Sequence, residues 1–310
     1  MATPPARCQV IPQAGRQVSF CVDDREVLRW HEGLDYPRPY FFPLVAPSGR
    51  SLTRMGHPGA PNHDHHQSIW FAHHKVMGID FWGNASGATI RQLQWLAYED
   101  GDDACRMAVL LGWYDGHDPA ALMQQEMVCE VRPVGSEREF VVEVQSRFTP
   151  SADSLELQQT NFGVLAVRVA RGISGHFGGG TLTNSESAIG ERAIFGKPAT
   201  WVDYSGATDR NAQQIEGITY MDHPSNPGQP TGWHVREDGW MCASPTMNAS
   251  IVIEKSQPLI LRYQLFVHSG GVAPDRIAEL AKTFDGSSGW VVSKSKRPHI
   301  AWTIDRMEAK

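Results

Sequence analysis

Cysteine is scarce in this chain of 310 residues, and no two cysteines form a Cys-x-x-Cys pair. An odd number of cysteines without such pairs argues against a disulfide framework and against a cysteine-rich zinc site. We therefore expect reduced thiols, which are typical of cytoplasmic proteins. The five positions are Cys8, Cys21, Cys105, Cys129 and Cys242.

Long apolar runs and basic blocks are also missing. No stretch of about 18 apolar residues occurs, so we expect no membrane-spanning segment. The formal net charge is −6, which argues against a nucleic-acid partner. The first ten residues contain no charged start followed by an apolar stretch. The sequence therefore predicts no secretory signal and a cytoplasmic location.

Several motifs with a fixed mechanism are absent too. The chain has no P-loop and no Gly-x-Gly-x-x-Gly, which argues against a nucleotide site. It has no Gly-x-Ser-x-Gly elbow and no cysteine–histidine family signature, which disfavours a serine or cysteine hydrolase. Function must therefore be inferred from clusters of reactive side chains.

A regular strand pattern is what the sequence does contain. Most segments alternate on a period of two or form short β-branched runs between turn residues. This pattern predicts an all-β fold, a large antiparallel β-sandwich that forms one domain over residues 1–310. The predicted strands are 18–22, 68–72, 106–113, 126–131, 139–148, 155–159, 249–254 and 259–267.

One segment has helical spacing instead. Apolar residues recur every three or four positions from Asp275 to Phe284, and Pro274 precedes them as a start signal. The sequence therefore predicts one short C-terminal helix.

Histidine is concentrated in one segment between positions 57 and 74. If the chain is extended over residues 63–66, His63 and His65 point to one side and His66 to the other. Histidine can transfer protons near neutral pH, and it can bind a metal through a neutral ring nitrogen. Three interpretations stay open: proton transfer or substrate hydrogen bonding, a divalent-metal site using His63, His65 and His73, or bonds to the loop backbone. The six histidines are His57, His63, His65, His66, His73 and His74.

A second group of reactive residues lies between positions 176 and 240, and His268 follows a later strand. Each has a structural alternative, such as a turn hydrogen bond for Asp203 and Tyr204. If these residues share one cavity with the histidine-rich segment, the cavity would suit a polyhydroxylated substrate, because it would offer both donors and acceptors. Trp82 is either a core residue or a platform for a sugar ring.

Eight motifs occur along the chain: HDHHQSIWFAH at 63–73, GIDFWG at 78–83, TNFG at 160–163, NSE at 184–186, GKPA at 196–199, WVDYSG at 201–206, DHP at 222–224 and WHVR at 233–236. Through these motifs the chain resembles the PmoA-like family, whose name refers to methane oxygenase, over roughly residues 35–305. Methane oxidation of that type belongs to membrane-embedded copper enzymes, and the missing membrane segment argues against it here. The resemblance implies a β-supersandwich similar to that of galactose mutarotases and a role in the breakdown of sugars, including keto-glycosides.

Together the pattern and the resemblance predict a carbohydrate-active enzyme that cleaves a glycoside or keto-glycoside by acid–base chemistry, of the lyase or hydratase type. The alternatives are a metal-assisted sugar hydrolase and a non-catalytic sugar-binding or sensor protein. We expect a small sugar or glycoside as partner, with a homo-oligomer possible. The predicted proton-transfer residues are His65, His66, His234 and Tyr204. The predicted substrate-binding residues are His63, His73, Trp82, Glu186, Asp203, His223, Arg236 and His268.

Overall fold

The structure, a computed structural model, describes residues 4–57, 59–60, 63–135, 138–208 and 213–308. Within these ranges the chain forms many strands and few helices. The strands, in chain order, are β1 Cys8–Gln13, β2 Gln17–Val22, β3 Arg25–His31, β4 Tyr40–Leu44, β5 Ile69–His73, β6 Thr89–Glu99, β7 Cys105–Tyr114, β8 Met123–Val134, β9 Glu139–Pro150, β10 Ser154–Leu157, β11 Gly163–Arg168, β12 Thr181–Asn184, β13 Trp201–Ala207, β14 Ile215–Asp222, β15 Gly232–Arg236, β16 Trp240–Ser244, β17 Ile251–Glu254, β18 Leu259–Ser269, β19 Trp290–Lys294 and β20 Trp302–Arg306.

The strands assemble into two large antiparallel sheets. The first sheet has the order β1-β2-β3-β4-β5-β11-β16-β15, and the second has the order β12-β13-β14-β18-β9-β8-β7-β6. Two smaller sheets pair β10 with β17 and β19 with β20. The order of the first sheet matters for function, because β11 pairs with both β5 and β16 and so brings the β15–β16 hairpin close to β5, which is distant in the chain.

The two large sheets pack face to face over one apolar core. Phe71 on β5 contacts Phe148 on β9, with ring centroids 6.3 Å apart. The hydroxyl of Tyr220 on β14 donates to the carbonyl oxygen of Leu165 on β11 at 3.0 Å. Burial of this continuous apolar cluster removes surface from water and is the main stabilising contribution of the sandwich.

The helices are short. A 3-10 turn covers Arg171–Ile173, α1 covers Gly175–Gly178, α2 covers Glu191–Ile194 and α3 covers Pro274–Asp285. Proline at the first position of α3 is well suited to a helix start, because its missing N–H needs no partner there. The helix packs Ile277 and Phe284 against the outer face of the second sheet.

The predicted all-β sandwich with one short C-terminal helix is confirmed. Each of the five cysteines, all of which lie in the described ranges, is buried with a free thiol. Within the same ranges, no helix is long and apolar enough to cross a membrane.

Candidate functional site

The outer face of the first sheet carries the candidate site. Side chains alternate between the two faces of a strand, so Trp233 and Val235 of β15 enter the core while His234 and Arg236 point away from it. The same alternation on the neighbouring strands brings Trp70 and Trp240 to the outer face. A cavity of about 420 Å³ lies over this face, lined by His63, His65, His66, His74, Asp80, Trp82, Gly83, Phe162, His234, Arg236, Asp238 and Trp240.

Residues 63–66, which we call the histidine turn, form one wall of the cavity. The chain is not extended here, because the backbone N–H of His66 donates to the carbonyl oxygen of His63 at 3.1 Å. The turn is fixed to the chain before it by the N–H of Gly56, which donates to the carbonyl oxygen of His66 at 2.7 Å. A turn gathers the imidazoles instead of dividing them between two faces. The ring centroids of His65 and His66 are 4.4 Å apart, and those of His63 and His66 are 5.1 Å apart.

Aromatic rings form the floor of the cavity. Trp82 lies 5.1 Å from Trp240 and 5.6 Å from Phe162, measured between ring centroids. Trp70 lies beneath them, 5.3 Å from Trp82 and 6.1 Å from Trp240. We call Trp82, Trp240 and Phe162 the aromatic floor. Mutual packing of these rings in tilted and edge-on geometry holds the floor in place.

His66 stacks on this floor, with its ring 5.5 Å from that of Trp240 and nearly parallel to it. Burial, followed by the neighbouring His65 imidazole, lowers the pKa of His66 far below its ordinary value. His66 is therefore neutral at pH 7. Its Nδ1 has no hydrogen-bond partner among the described residues.

His234 faces the histidine turn from β15, where its ring lies 4.4 Å from Trp240. Its Nδ1 is 2.9 Å from the carbonyl oxygen of Asn161, and since a carbonyl only accepts, Nδ1 carries the hydrogen. Burial lowers the pKa of His234 to about 3, although the Asn161 contact opposes this. His234 is thus a neutral imidazole with a fixed tautomer, and Nε2 is the nitrogen that can accept.

Asp238 brings a negative charge to the cavity. Its carboxylate accepts from Arg168 at 3.0 Å and lies 3.2 Å from Nε2 of His57. Burial favours the neutral acid, but the hydrogen bond and charge of Arg168 prevail and hold the pKa of Asp238 below its usual range. Asp238 is therefore ionised at neutral pH, above a fully buried guanidinium.

Arg236 lies at the edge of the same cavity, and its partner is a carboxylate that is distant in the chain. The neighbouring carboxylates Glu237 and Asp238 are the obvious candidates along the chain. The guanidinium instead donates to Glu191 of α2 at 2.7 Å and stacks over Phe195. This fixes the guanidinium beside the cavity and limits its freedom to move toward a ligand.

The opposite edge of the cavity contains a histidine–aspartate pair. Nδ1 of His74 is 3.2 Å from Oδ1 of Asp80. The same oxygen accepts from the backbone N–H groups of Trp82 at 2.6 Å and Gly83 at 2.9 Å. Asp80 therefore fixes the turn that places Trp82 in the aromatic floor, and its carboxylate lies within ion-pair distance of His74.

Several predicted residues lie away from this cavity. Tyr204 is fully buried in the core, where its hydroxyl donates to the carbonyl oxygen of Arg236, and burial raises the pKa of the phenol. Asp203 and His268 form a buried pair on the second sheet, with 2.8 Å between Oδ2 and Nε2. Burial lowers the pKa of His268, but the Asp203 carboxylate outweighs it and raises that pKa overall. None of these three side chains lines the cavity.

Three other predicted residues are also elsewhere. His223 packs against Phe284 of α3 and accepts from Arg262 at 2.7 Å. Glu186 is exposed in the loop after β12. His73 is fully buried, and its ring bonds the N–H of Lys75 through Nδ1 and the hydroxyl of Thr246 through Nε2. Of these three residues only His73 lies in a strand, and Glu186 and His223 follow the ends of β12 and β14.

The three histidines of the predicted divalent-metal site, His63, His65 and His73, are not brought together as metal ligands. Because both ring nitrogens of His73 are occupied, His73 cannot join His63 and His65 in one ligand set. Among the residues that the structure describes, no group of three or more His, Cys, Asp or Glu side chains is placed to hold a metal ion.

Some cavity residues were not selected from the sequence. Trp240, Phe162 and Asp238 were not among the predicted site residues. A signal was available for Asp238 and Trp240, since they follow His234 and Arg236 along one hairpin. Phe162 lies in the TNFG motif, but its place in the cavity depends on the pairing of β11 with β5 and β16.

Comparison with known proteins identifies the family. The model of DUF6807, a family of unknown function, matches residues 17–282, so the chain belongs to that family. The resemblance to PmoA-like proteins stays a prediction. No match was found among curated proteins.

Two solved structures are among those similar to this chain. One is a "putative aldose 1-epimerase" from Escherichia coli K12, with 10% identity, a TM-score of 0.36, and coverage of 85% of this chain and 99% of that one. The other is a "putative mutarotase" from Salmonella typhimurium, with 13% identity, a TM-score of 0.28, and coverage of 85% and 97%. Similarity at these TM-scores does not indicate a substrate.

Proposed function

We propose that the cavity binds a sugar or glycoside and acts on it by acid–base chemistry of the lyase or hydratase type. One observation carries the proposal. The histidine turn and His234, which lie far apart in the sequence, meet over the aromatic floor in one cavity. Its volume of about 420 Å³ is within the range of small-molecule sites.

The lining of the cavity supports a polyhydroxylated ligand. The apolar face of a sugar ring can pack on an aromatic floor, whereas its hydroxyl groups need donors and acceptors around the edge. Here the edge offers imidazoles, the Asp80 and Asp238 carboxylates and the Arg236 guanidinium. A cavity with an apolar floor and a polar edge therefore matches the two kinds of surface that a sugar presents.

The imidazoles have different proposed roles. His65 is half-buried and lines the cavity, so we assign proton transfer to it. Burial keeps His66 and His234 neutral, so we assign them hydrogen bonding to hydroxyl or carbonyl oxygens instead. The pKa of about 3 for His234 is too far below a neutral operating pH for efficient proton transfer.

On a keto-glycoside the proposed reaction is an elimination. A base takes the proton from the carbon beside the ketone, and the C–H electron pair forms a C=C bond. The bond to the glycosidic oxygen breaks, and an acid returns a proton to that oxygen. One proton is removed and one is supplied, so no oxidant or reductant is needed. Addition of water across the new double bond is the hydratase step.

A product assay tests this proposal. Purified protein is incubated with a panel of glycosides and their keto derivatives, and the products are identified by mass spectrometry. Loss of a proton-transfer group costs about 10²–10⁴-fold in rate, so His65→Ala should lose that much turnover. His117→Ala is the matched control, because His117 is an exposed histidine in the turn after Asp115. Wild-type turnover in His65→Ala on a substrate that the protein cleaves would refute the assignment.

A non-catalytic sugar-binding protein is the second candidate. The neutral state of His66 and His234 favours it, because neutral imidazoles bind hydroxyl groups well without moving protons. It predicts saturable binding by calorimetry with no new product in the mass spectrum. The lyase proposal predicts that the keto-glycoside disappears in the same sample.

A further inference from the structure

The histidine–aspartate pair at the edge of the cavity points to a second proton-transfer group. We propose that His74 is a general base or acid of this site and that Asp80 is its positioning residue. This inference rests on the proposed function, and it adds to His65 the partner that acid–base chemistry requires. The two histidines flank the aromatic floor. The ring centroids of His65 and Trp82 are 6.4 Å apart, and those of His74 and Phe162 are 5.8 Å apart.

The contact with Asp80 favours one tautomer of His74. Nδ1 of His74 lies 3.2 Å from Oδ1 of Asp80, and a carboxylate oxygen only accepts, so the neutral ring is expected to carry its hydrogen on Nδ1. Nε2 then keeps its lone pair and is the nitrogen available to a ligand. His74 is partly exposed and lines the cavity, so Nε2 requires no rearrangement of the core to meet a substrate.

Asp80 is itself held rigidly. Its Oδ1 accepts from two backbone N–H groups, which fixes the carboxylate independently of His74. The missing side chain at Gly83 also leaves room for the Asp80 carboxylate, because a Cβ added at Gly83 would lie only 2.8 Å from Oδ2 of Asp80. A fixed carboxylate that orients an imidazole and stabilises its protonated form is the arrangement that activates histidine in acid–base enzymes.

In the proposed reaction, Nε2 of His74 takes the proton from the substrate carbon beside the ketone. The imidazolium that forms is stabilised by the Asp80 carboxylate, and the glycosidic oxygen receives its proton from His65. If the roles are exchanged, His65 takes the proton from the substrate carbon and His74 supplies the proton to the glycosidic oxygen. The total number of protons is the same in both cases.

Two variants and their combination test the pair. Asp80→Asn removes the charge but keeps an oxygen that can accept from the N–H groups of Trp82 and Gly83, and His74→Gln removes the imidazole at a partly exposed position. Each should lower kcat by about 10²–10⁴-fold with little change in KM. The double variant should be no worse than either single variant, because residues that act as a unit lose their effect together. His117→Gln is the control and should keep wild-type kcat.

A second readout needs no substrate. Long-range ¹H–¹⁵N spectra of protein with labelled histidine should show neutral His74 protonated on Nδ1. Protonation on Nε2, wild-type kcat in His74→Gln, or losses that multiply in the double variant would each overturn the proposal. If the wild type neither binds nor converts any sugar of the panel, the proposed function fails. The Nδ1 signal then still decides whether the pair is assembled.

Discussion

His73 shows how burial changes the chemistry of a single residue. Burial, followed by the neighbouring His74, lowers the pKa of His73 to about 4. In the unfolded chain the pKa is about 6.5, so between these values the unfolded state binds a proton that the folded state does not. His73 therefore contributes stability above pH 6.5, and this contribution is lost as the pH falls toward 4.

The variant His73→Asn isolates this effect. Asparagine keeps an oxygen near the position of Nδ1, so it can still accept from the N–H of Lys75. We expect the variant to be less stable than the wild type at pH 7.5, with the difference narrowing by up to about 1.4 kcal/mol per pH unit below pH 6.5. Urea unfolding at several pH values measures this, with His117→Asn as control. A difference that stays constant from pH 7.5 to 4 would show that His73 is not titrating as stated.

Residue type predicted part of the site, and side-chain direction explains the rest. The cavity includes His63, His65, His66, Trp82, His234 and Arg236, all of which the sequence singled out. Asp203 and His268 are equally reactive, but they lie on the second sheet, away from the first-sheet cavity. Tyr204, next to Asp203, alternates into the core. Which face a reactive residue occupies depends on long-range strand pairing, and one sequence does not reveal it.

At the scale of elements, periodicity located strands but did not detect all of them. The predicted strand 139–148 corresponds to β9 and the predicted helix 275–284 to α3. The region 176–240 was interpreted mainly as chemistry, yet it holds β12 to β15. In β15, for example, His234 and Arg236 point outward while Trp233 and Val235 enter the core, so these polar residues are part of the strand alternation.

The pairing of β5 with β11 depends on one glycine. Gly163 lies opposite His73, and a Cβ added there would be 2.6 Å from Cδ2 of His73 and 3.2 Å from the carbonyl oxygen of Ala72. Because both ring nitrogens of His73 are bonded, the ring has little freedom to move away. We expect Gly163→Ala to lower the free energy of unfolding by about 1–3 kcal/mol, the usual cost of overpacking.

Urea unfolding of Gly163→Ala beside Gly33→Ala measures this cost. A Cβ at Gly33 would meet no atom within 4 Å, so that control removes the same flexibility of the unfolded chain without a clash. Equal stability of the two variants would mean that β5 and β11 can move apart slightly with no decrease in the free energy of unfolding. The ring of His73 would then be less constrained than its hydrogen bonds indicate.

At the scale of the whole molecule, the continuous core between the two large sheets supports the prediction of one domain, which stays a prediction. The site and α3 lie on different sheets, the site on the first and the helix on the second. If the chain unfolds as one unit, damage at α3 must lower the stability of the cavity as well, although no atom of the cavity is changed. The prediction of a homo-oligomer also stays open, and the mass of the protein in solution would decide it.

Phe284→Ala tests the coupling between these two sheets. The ring of Phe284 is buried with Ile277 and Phe266, so truncation should lower the free energy of unfolding by about 3–5 kcal/mol. Lys282→Ala on the exposed side of α3 is the control and should stay within about 0.5 kcal/mol of the wild type. Tryptophan fluorescence, which includes Trp82 and Trp240 of the aromatic floor, and circular dichroism should report one coincident transition in both variants. Because the cavity itself is intact, the affinity for any sugar that the wild type binds should not change. If fluorescence and circular dichroism instead give separate transitions in Phe284→Ala, the two sheets unfold independently and the one-domain prediction is wrong.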